Sequence, residues 1–482
     1  MILPYALSKL IEGVTHAGPV PALDVEGINA DSRLIGADEA FFALPGARGH
    51  GNVYSRDAAG RGASVLVTDK APKTDPGIPV VLVKDVRAAY AKAAALVAGQ
   101  QPKNCVAVTG TNGKTSVVSF LRQIWTYAGI KGASVGTLGV MAGGRHVPGE
   151  LTTPDPLTLH RTLAELKAEG IEHVAIEASS HGIDQRRLDG VKFRAVAFTN
   201  LSRDHLDYHQ TIENYRDAKL RLFRELITGK ATAVVDAGSE EGLPFMFAAL
   251  DKGATVFTVG EGGAHIDVES VVSEGFGQRV KGKLVGEPIE FLLPLVGRFQ
   301  VDNAVVAAGL ATATGVDNKT AIAALEHLKG AKGRLEMVAQ RGGRAVFVDY
   351  AHTPDALENA LESLRPFAKG RLTVVFGCGG DRDKGKRPEM GKIAGALADT
   401  VIVTDDNPRT EKAETIRAQI LAAVPGATEI ADRAEAIGHA IAEMGDHDVV
   451  LVAGKGHEDY QIVGKTRHHF SDHEVVLEAF GE

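Results

Sequence analysis

The sequence predicts an α/β protein built mainly on parallel sheets. Short apolar runs, each typical of a buried strand, alternate with helical stretches along most of the chain. One run, Cys105–Thr109, leads into a glycine-rich loop and then into a helical stretch from Lys114 to Tyr127. The length of 482 residues exceeds that of one ordinary domain, and the usual domain size suggests about three.

Two breaks in the pattern predict three domains, at residues 1–100, 101–330 and 331–482. The first break follows an alanine-rich helical stretch, Val86–Ala98, where glycine and proline punctuate the chain. The second comes near Gly333, where a new α/β series begins. We expect an N-terminal α/β domain, a central phosphate-loop domain with a mainly parallel sheet, and a Rossmann-like α/β C-terminal domain.

The strand candidates in these domains are short, continuous apolar runs with helical patterns between them. They are Val65–Thr68, Val80–Val83, Cys105–Thr109, His173–Glu177, Ala195–Thr199, Ala233–Asp236, Ala345–Asp349, Leu372–Gly377, Thr400–Thr404 and Val449–Ala453. Among the helical stretches, Val301–Leu328 closes the central domain and Pro354–Leu364 lies in the last one.

The composition excludes several classes of protein. A formal net charge of −8 is unfavourable for a nucleic-acid-binding surface. No apolar run is long enough for a membrane span and residues 1–13 lack a signal-peptide pattern, so we expect a cytoplasmic protein. Cys105 and Cys378 border apolar runs without metal-ligand spacing, which predicts two buried, reduced thiols. No feature indicates an interface, so we expect a monomer.

The glycine-rich loop predicts a nucleotide phosphate site. Glycines let the backbone approach phosphate, and the N–H groups at the start of a helix point at the anion. The residues expected to bind ATP in this way are Gly110, Thr111, Asn112, Gly113, Lys114, Thr115 and Ser116. Lys114 supplies positive charge, and the Thr115 hydroxyl can hold Mg²⁺. The alternative is a tight glycine turn with a solvated lysine, which the strand before and the helix after the loop disfavour.

Polar residues at other predicted strand ends complete a candidate metal site. Glu177 ends the run His173–Glu177, and the segment after Asn200 contains His205. Ligands of open parallel sheets gather beyond the carboxyl ends of the strands, where a carboxylate and an imidazole suit Mg²⁺. Either residue alone could have a purely structural role, for example as a helix cap.

Together, these segments resemble the Mur ligases. The loop has Val108 where the general Walker pattern has its first glycine, and this shorter form is similar to the loops of Mur ligases and folylpolyglutamate synthases. The segments that begin at Glu177, Asn200 and Tyr215 resemble signatures of the family member that adds the third amino acid of the peptide. The resemblance implies that Lys219 carries a carbamate, formed from CO₂, which helps to hold a second Mg²⁺.

The resemblance also assigns residues to the remaining substrates. It implies nucleotide contacts by Asn303, Arg334 and Asp349. For the amino acid, it implies a site made of Arg382, Asp406, Asn407, Pro408, Arg409, Gly454 and Glu458. Asp-Asn-Pro-Arg, at 406–409, marks the family members that take meso-diaminopimelate, because a guanidinium forks a carboxylate better than an ammonium does. From the residues alone, Asn-Pro also fits a surface turn.

The N-terminal domain resembles the uridine-binding domain of the family. The implied contacts to UDP, the muramoyl sugar and the dipeptide are Ser32, Ala47, Arg48, Gly49, Thr152, Thr153, Ser179, Gln185 and Arg187. Arg187 is the best physical candidate for a carboxylate or phosphate contact. The loop motifs among these are weak, since glycine turns with basic residues are common.

The resemblance therefore implies an ATP- and Mg²⁺-dependent amide ligase of peptidoglycan precursor synthesis. It would add meso-diaminopimelate to UDP-N-acetylmuramoyl-L-alanyl-D-glutamate through an acyl phosphate, with Lys114, Glu177, His205 and Lys219 as the catalytic set. The alternatives are addition of L-lysine and a ligase like folylpolyglutamate synthase. A nucleotide-binding regulatory protein and a phosphate-loop kinase acting on a hydroxyl are more distant alternatives.

Overall fold

The computed structural model describes residues 4–46 and 49–481. By internal contacts the chain divides into two units. Unit 1 comprises the residues up to Thr258 together with Gly309–Val316, and unit 2 comprises Val259–Ala308 and the residues from Asp317 onward. Both units consist of sheets with helices, which confirms the predicted α/β class. The division at residues 100 and 330 stays a prediction.

The elements up to Gly260 are short strands and helices. The strands are β1 (Tyr5–Ala6), β2 (His16–Ala17), β3 (Asp24–Val25), β4 (Gly27–Asn29), β5 (Glu39–Ala43), β6 (Pro45–Gly46), β7 (Gly49–His50), β8 (Val65–Thr68), β9 (Val80–Val83), β10 (Asn104–Thr109), β11 (Gly132–Gly136), β12 (Gly139–Ala142), β13 (Arg145–Val147), β14 (His173–Glu177), β15 (Phe193–Phe198), β16 (Thr232–Asp236) and β17 (Thr255–Gly260). The helices are α1 (Leu7–Leu10), α2 (Ser55–Gly60), α3 (Val86–Ala98), α4 (Lys114–Tyr127), α5 (Pro156–Ala168), α6 (Ser180–Asp184), α7 (Leu206–His209), α8 (Ile212–Arg224) and α9 (Leu243–Asp251).

The N-terminal part of unit 1 has a sheet of its own, in the order β2-β9-β8-β5-β4. Strands β4, β5, β8 and β9 run parallel, and β2 pairs antiparallel with β9. Helix α3 begins where the Asp85 side chain accepts a hydrogen bond from the backbone N–H of Ala88, a typical N-cap. The buried side of this helix, including Ala89 and Tyr90, packs on the apolar face of the sheet.

The central sheet of unit 1 has the order β13-β12-β11-β14-β10-β15-β16-β17. Strands β11, β14, β10, β15 and β16 are parallel, so their carboxyl ends lie at one edge. Because helices cover a parallel sheet on its faces, these strands are buried almost throughout. We expected the strand that carries Glu177 and the strand before Asn200 to be neighbours. They are not adjacent, because β14 and β15 lie on either side of β10.

The remaining elements belong largely to unit 2. The strands are β18 (Ile266–Glu274), β19 (Gly277–Leu284), β20 (Glu287–Leu293), β21 (Glu336–Arg341), β22 (Arg344–Asp349), β23 (Leu372–Phe376), β24 (Thr400–Val403), β25 (Thr428–Glu429), β26 (Val449–Ala453), β27 (Tyr460–Val463) and β28 (Thr466–His469). The helices are α10 (Arg298–Ala313), α11 (Asn318–Ala323), α12 (Pro354–Leu364), α13 (Lys386–Leu397), α14 (Ala413–Leu421), α15 (Arg433–Ala442) and α16 (Asp472–Phe480). Short 3₁₀ turns lie at Gly51–Tyr54, Glu240–Gly242, Ala324–His327 and Arg365–Phe367.

Unit 2 is built on a sheet in the order β21-β22-β26-β23-β24-β25. All its pairs are parallel except β21 with β22. Alternate residues of β26 enter two different apolar clusters, with Leu451 in one and Val450 and Val452 in the other. A strand buried on both faces must be apolar throughout, which explains the continuous run Val449–Ala453.

The predicted helical stretch Val301–Leu328 is interrupted. Helix α10 ends at Ala313, Gly315 adopts a φ of 101°, and α11 begins after Asp317. The Asp317 side chain accepts hydrogen bonds from the N–H groups of Lys319 and Thr320 and so caps the new helix. Both cysteines are buried and free, as predicted. Among the described residues, no helix combines the length and the apolar character needed to cross a membrane.

Candidate functional site

The phosphate loop requires glycine at the end of β10. Gly110 has a φ of 152°, and a Cβ at this position would lie 1.9 Å from Oγ1 of Thr199. Gly113, with a φ of 87°, is the left-handed residue before α4. Both conformations are ones that glycine adopts without strain. No side chain caps α4, so its first N–H groups remain available to an anion.

A second chain segment holds the other side of the loop. The backbone N–H of Thr111 donates to the carbonyl of Asn200 at 2.9 Å, and the N–H of Asn112 donates to the Asn200 side chain at 3.0 Å. Oγ1 of Thr199 donates to the carbonyl of Asn112 at 2.6 Å. The strand end after β15 therefore fixes the conformation of the loop.

Two lysines meet at the loop. Nζ of Lys114 donates to the carbonyls of Gly110 and Thr111 at 2.9 and 2.8 Å, and Nζ of Lys219, from α8, donates to the same Gly110 carbonyl at 2.7 Å. Lys219 is only 1% exposed. Burial, and secondly the charge of Lys114, hold the pKa of the Lys219 amine well below its usual range. Its nitrogen also lies 4.2 Å from the centre of the Tyr215 ring.

Glu177 is a buried carboxylate at the end of β14. Its Oε2 accepts hydrogen bonds from the hydroxyls of Thr115 and Thr137, at 3.0 and 3.1 Å, and its Oε1 accepts from the Thr137 N–H at 2.8 Å. Gly136 leaves the room for this side chain, since a Cβ there would lie 2.1 Å from Oε1. The arrangement gathers three oxygen-bearing side chains directly beside the phosphate loop.

His205 lies in an aromatic cluster with His181, Tyr208, His209 and Tyr215. The rings of His181 and His205 are 5.0 Å apart, and those of His205 and Tyr215 are 6.0 Å apart. Burial is the main cause that lowers the pKa values of His181 and His209. Tyr215 joins the cluster to the loop, because its hydroxyl donates to Oγ1 of Thr111 at 3.2 Å.

Several residues assigned to the UDP-muramoyl dipeptide lie together beside Glu177. Oγ1 of Thr153 donates to the Glu177 carbonyl at 2.6 Å and lies 3.0 Å from Oγ of Ser179. Arg187 donates to the carbonyl of Thr153 and to the Gln185 side chain, both at 2.8 Å. The predicted dipeptide contacts therefore adjoin the phosphate site.

The other residues in that assignment lie on separate segments of unit 1. Oγ1 of Thr152 lies 3.1 Å from Oγ1 of Thr137. Ser32 is buried after β4, and Gly49 begins β7. Ala47 and Arg48 lie outside the described residues.

The nucleotide residues assigned to unit 2 are Asn303, Arg334 and Asp349. Asn303 is buried on α10, with Nδ2 3.5 Å from Oε1 of Gln300. The guanidinium of Arg334 lies 4.9 Å from the centre of the Tyr350 ring. Asp349, at the end of β22, accepts the backbone N–H groups of Leu335 and Ala351. Burial raises the pKa of Asp349, although the charge of Arg334 opposes that shift.

The segment Asp406–Arg409 follows β24 at the carboxyl edge of the unit 2 sheet. Asp406, Asn407 and Pro408 are buried, and Arg409 adopts a φ of 51°. The Arg409 backbone pairs with the hairpin β27–β28, since its N–H donates to the Ile462 carbonyl at 3.0 Å. This segment is therefore packed within unit 2 and is not a surface turn.

Arg409 and Arg382 both have side-chain atoms near Gly379. A Cβ on Gly379 would lie 2.7 Å from Nη1 of Arg409 and 3.8 Å from Cγ of Arg382. Nη1 of Arg409 donates to the carbonyl of Gly380 at 2.9 Å, while Arg382 is exposed. The Arg409 guanidinium at this strand edge suits the recognition of a carboxylate, and Arg382 is a second arginine beside the same glycine.

Glu458 connects this segment with the end of β26. Its Oε2 accepts a hydrogen bond from Nδ2 of Asn407 at 3.0 Å. Gly454 is needed there, because its φ is 116° and a Cβ would lie 2.7 Å from Oδ2 of Asp406. The structure thus brings together the residues assigned to diaminopimelate within unit 2.

Comparison with known proteins identifies the family. Residues 24–114 match the model "Mur ligase family, catalytic domain", residues 108–311 match "Mur ligase middle domain", and residues 333–456 match "Mur ligase, glutamate ligase domain". The chain belongs to the Mur ligase family.

Curated relatives of this Mur ligase agree with the family models. The UDP-N-acetylmuramoyl-L-alanyl-D-glutamate--2,6-diaminopimelate ligase of Chelativorans sp. (strain BNC1) is 52% identical over 95% of this chain and 95% of its own length. The protein with the same name from Rhizobium meliloti (strain 1021) is 52% identical over 96% of each chain. The prediction that the chain is a Mur-type ligase is confirmed.

Solved structures show the same fold over the whole length. A structure of a UDP-N-acetylmuramoyl-L-alanyl-D-glutamate--2,6-diaminopimelate ligase, 30% identical, covers 99% of both chains with a TM-score of 0.75. MurF from Acinetobacter baumannii, 19% identical, covers 99% of both chains with a TM-score of 0.63, which shows a shared fold. The folylpolyglutamate synthase of Mycobacterium tuberculosis, 17% identical, covers 76% of this chain and 92% of its own, with a TM-score of 0.62.

The residues of this Mur ligase fit a divalent cation beside the phosphate loop. The hydroxyl of Thr115 and the carboxylate of Glu177 are hard oxygen donors within 3.0 Å of each other, and Mg²⁺ prefers such donors. His205 and Lys219 share contacts with Tyr215 and could contribute to a second position. No group of three His, Cys, Asp or Glu side chains arranged for a metal occurs within residues 4–46 and 49–481.

Sequence reasoning missed two residues that organise these sites. Thr137 donates twice to Glu177, and Lys455 is a fully buried lysine in the amino-acid region. Lys455 lies two residues after the apolar run Val449–Ala453, so its place near a carboxyl strand end was a usable signal. Thr137 follows a strand whose glycine and alanine content resembles a loop, and it gave no comparable signal.

Proposed function

We propose that this protein is an ATP-dependent amide ligase that adds meso-diaminopimelate to the D-glutamate carboxylate of UDP-N-acetylmuramoyl-L-alanyl-D-glutamate. The observation that carries the choice of amino acid is the arginine pair around Gly379, in which Arg409 is fixed by the hairpin β27–β28. An amino acid with a distal carboxylate gives these guanidinium groups a partner. The names of the 52% identical relatives support the same reaction.

The phosphate loop is proposed to bind the β- and γ-phosphates of ATP. The N–H groups at the start of α4, which has no side-chain cap, are proposed to face the anion, and Lys114 adds a positive charge. In unit 2, Asn303 is proposed to contact adenine, Asp349 the ribose hydroxyls and Arg334 the nucleotide. A guanidinium lying over the Tyr350 ring leaves its N–H edge available for such a contact.

Thr115 and Glu177 are proposed to hold one Mg²⁺, and His205 and Lys219 a second. When bound, Mg²⁺ offsets negative charge on the phosphoryl oxygens. Lys219 fits this role only after modification, because an ammonium or amine offers no anionic oxygen. Its neutral amine would attack CO₂ to form a C–N bond and release one proton, leaving an N-carboxylate. The lowered pKa of Lys219 supports this step, since only the unprotonated amine is nucleophilic.

Residues beside Glu177 are proposed to position the dipeptide carboxylate. Thr152, Thr153, Ser179, Gln185 and Arg187 are the candidates in this region, and Arg187 has the charge to hold a carboxylate or phosphate. Ser32 and residues 47–49 are proposed to bind the UDP end. The residues proposed to bind the dipeptide lie close to the phosphate loop, because Glu177 contacts both Thr153 and Thr115. This closeness supports phosphoryl transfer to the D-glutamate carboxylate.

The reaction then proceeds in two balanced steps. A carboxylate oxygen of D-glutamate bonds to the γ-phosphorus as the bond to the ADP oxygen breaks, with Lys114 offsetting charge on the transferred group. The amine of diaminopimelate then attacks the carbonyl carbon, inorganic phosphate leaves with the bonding electrons, and the nitrogen releases one proton. Arg382, Asp406–Arg409, Gly454 and Glu458 are proposed to orient this amine by holding the distal end of the amino acid.

The same chemistry could act on L-lysine or in a ligase like folylpolyglutamate synthase. L-Lysine has the distal ammonium that the buried carboxylate of Asp406 and the half-buried carboxylate of Glu458 would attract, but it leaves Arg409 and Arg382 without a carboxylate. A ligase like folylpolyglutamate synthase is disfavoured by the N-terminal domain, which resembles the family's uridine-binding domain; the folylpolyglutamate synthase of Mycobacterium tuberculosis covers 76% of this chain. We also propose that the protein works in the cytoplasm as a monomer in peptidoglycan precursor synthesis, where its nucleotide-linked substrates are made.

The test is phosphate release from ATP with Mg²⁺, the UDP-linked dipeptide and either meso-diaminopimelate or L-lysine. We expect release that requires diaminopimelate, with equal amounts of ADP and a tripeptide product. Phosphate release with L-lysine but not with diaminopimelate would still indicate an amide ligase, but it would refute the role of the two arginines. A phosphorylated product without free phosphate would favour a kinase. The absence of phosphate release with both amino acids would contradict the proposal.

A further inference from the structure

Lys455 is a buried cation at the centre of the amino-acid region of unit 2. It lies two residues beyond the end of β26, after Gly454, and its side chain is 0% exposed. Nζ donates to Oδ1 of Asn407 at 3.1 Å and lies 3.5 Å from Oε2 of Glu458 and 4.0 Å from Oδ1 of Asp406. Each of these partners belongs to the proposed diaminopimelate site, whereas Lys455 has no proposed contact with substrate.

Asn407 shows how tightly Lys455 is built into this region. Its amide oxygen accepts hydrogen bonds from Lys455 and from the Ile462 N–H, the latter at 2.9 Å, and its amide nitrogen donates to Glu458 at 3.0 Å. The orientation of the amide is therefore set by Lys455 on one side and Glu458 on the other. Lys455 thereby joins the segment after β24 to the segment after β26.

The charges around Lys455 are unequal. The neighbouring cation, Arg433, is engaged in a double hydrogen bond with Asp472, at 2.7 and 2.8 Å. Lys455 therefore faces two carboxylates, those of Asp406 and Glu458, with a single positive charge. Burial lowers the pKa of Lys455, and the charges of Asp406 and Glu458 oppose that shift. Among these three side chains, Lys455 offsets one negative charge, and the second carboxylate is left for an external cation.

We propose that Lys455 is a positioning residue that offsets one of the two carboxylates and fixes Asp406, Asn407 and Glu458 for the distal ammonium of the amino acid. This inference rests on the proposed function. Without Lys455 the two carboxylates repel each other and carry two uncompensated charges, which raises the cost of placing the distal carboxylate of diaminopimelate nearby. The loss is smaller for L-lysine, which has the ammonium but no distal carboxylate.

The experiment compares wild-type enzyme with Lys455→Met and Lys455→Gln. Methionine removes the charge and the hydrogen bond at similar length, while glutamine keeps a donor for Asn407. We expect the KM for diaminopimelate to rise about 10-fold or more in Lys455→Met, as for other residues that orient ligand-binding groups. We expect a smaller rise in Lys455→Gln, and a fall in the preference for diaminopimelate over L-lysine in both.

Two further readouts separate positioning from general damage. Trapping of the acyl phosphate with hydroxylamine needs ATP and the dipeptide but no amino acid, so its rate should stay within about two-fold of wild type if the effect is confined to the amino-acid site. Lys369→Met, which removes an exposed lysine of the same unit, serves as the matched control. If Lys455→Met does not fold, the same measurements on Lys455→Gln provide the test.

The outcomes distinguish this inference from the proposed function. If wild-type enzyme releases no phosphate with diaminopimelate, the proposed function fails and the inference fails with it. If wild-type enzyme is active and a folded Lys455 variant keeps the KM and the preference for diaminopimelate, the positioning role alone is refuted. An equal loss in hydroxylamine trapping and in amide formation would also refute it, since that result indicates a structural role.

Discussion

Lys114 and Lys219 donate hydrogen bonds to the same backbone oxygen, the carbonyl of Gly110, at 2.9 and 2.7 Å. Two cations at one acceptor repel each other, and burial favours loss of the proton by the more enclosed one. Lys219, at 1% exposure, is that residue. These surroundings favour a neutral amine on Lys219, which is the form that the proposed carbamate requires.

Replacement of Lys219 should abolish most of the activity. We expect Lys219→Ala to lower kcat by about 10²- to 10³-fold, because a group that stabilises the transferring phosphoryl charge is lost. Wild-type enzyme supplied with ¹³C-bicarbonate should show a carbamate signal by ¹³C NMR that is absent from the variant. Lys252→Ala, at an exposed lysine of unit 1, is the control. An unchanged NMR spectrum in Lys219→Ala would contradict the carbamate.

Replacement of Arg409 should weaken the binding of the amino acid and leave the binding of ATP and the dipeptide unchanged. We expect Arg409→Ala to raise the KM for diaminopimelate by about 30-fold or more, since truncating one partner of a buried charge pair costs about 2–5 kcal/mol. Arg409→Lys should recover only part of this loss, because an ammonium cannot form two parallel hydrogen bonds. Steady-state kinetics with ATP and the dipeptide saturating gives the comparison, and an equal rise in the KM for ATP would argue against the assignment.

The half-buried imidazole of His457 should make unit 2 sensitive to acid. Burial, followed by the charges of Arg334 and Lys332, lowers the pKa of His457 to about 4, and its Nδ1 has no hydrogen-bond partner among the described residues. In the unfolded chain the ring binds a proton near pH 6.5. Between these two values the unfolded state holds more protons, so stability falls as the pH drops from about 6.5 to about 4.

This loss is at most about 3.5 kcal/mol, at about 1.4 kcal/mol for each unit of pKa difference. Urea unfolding of wild type and His457→Gln at pH 7 and pH 4.5 measures it. We expect the wild type to lose more stability than the variant between the two pH values. Parallel losses in the two proteins would show that other groups cause the acid sensitivity.

The buried ion pair between Arg433 and Asp472 should be costly to break. Both side chains are 0% exposed, and two hydrogen bonds of 2.7 and 2.8 Å join them. Arg433→Met would leave Asp472 as an uncompensated buried charge, which costs about 3–5 kcal/mol. Arg433→Met combined with Asp472→Leu should recover most of that loss, because no charge then remains unpaired.

Urea unfolding of the single and double variants measures this effect. The exposed pair Arg224–Asp217 provides the contrast, since removing one partner there should change the free energy of unfolding by less than about 1 kcal/mol. Equal stability losses in the single and double variants would mean that packing, and not charge, determines the result.

Sequence alone determined the fold class, the family and the position of most buried strands. The predictions His173–Glu177 and Val449–Ala453 coincide with β14 and β26, because strands covered on both faces must be apolar at every position. The phosphate loop was equally visible, since its glycines are required locally. The antiparallel strands β18 and β19 were missed, because their partly exposed residues interrupt the apolar pattern.

Tertiary structure decided which distant residues meet. The order β14-β10-β15 places Glu177 and the segment after Asn200 on opposite sides of the phosphate loop, and no local pattern contains that order. Lys219 and Lys455 are lysines, which in isolation are typical of solvated surfaces. Their burial, at 1% and 0% exposure, results from packing between segments far apart in the chain. Residue type and spacing specify strands and loops, whereas the electrostatic surroundings of a charge depend on long-range contacts.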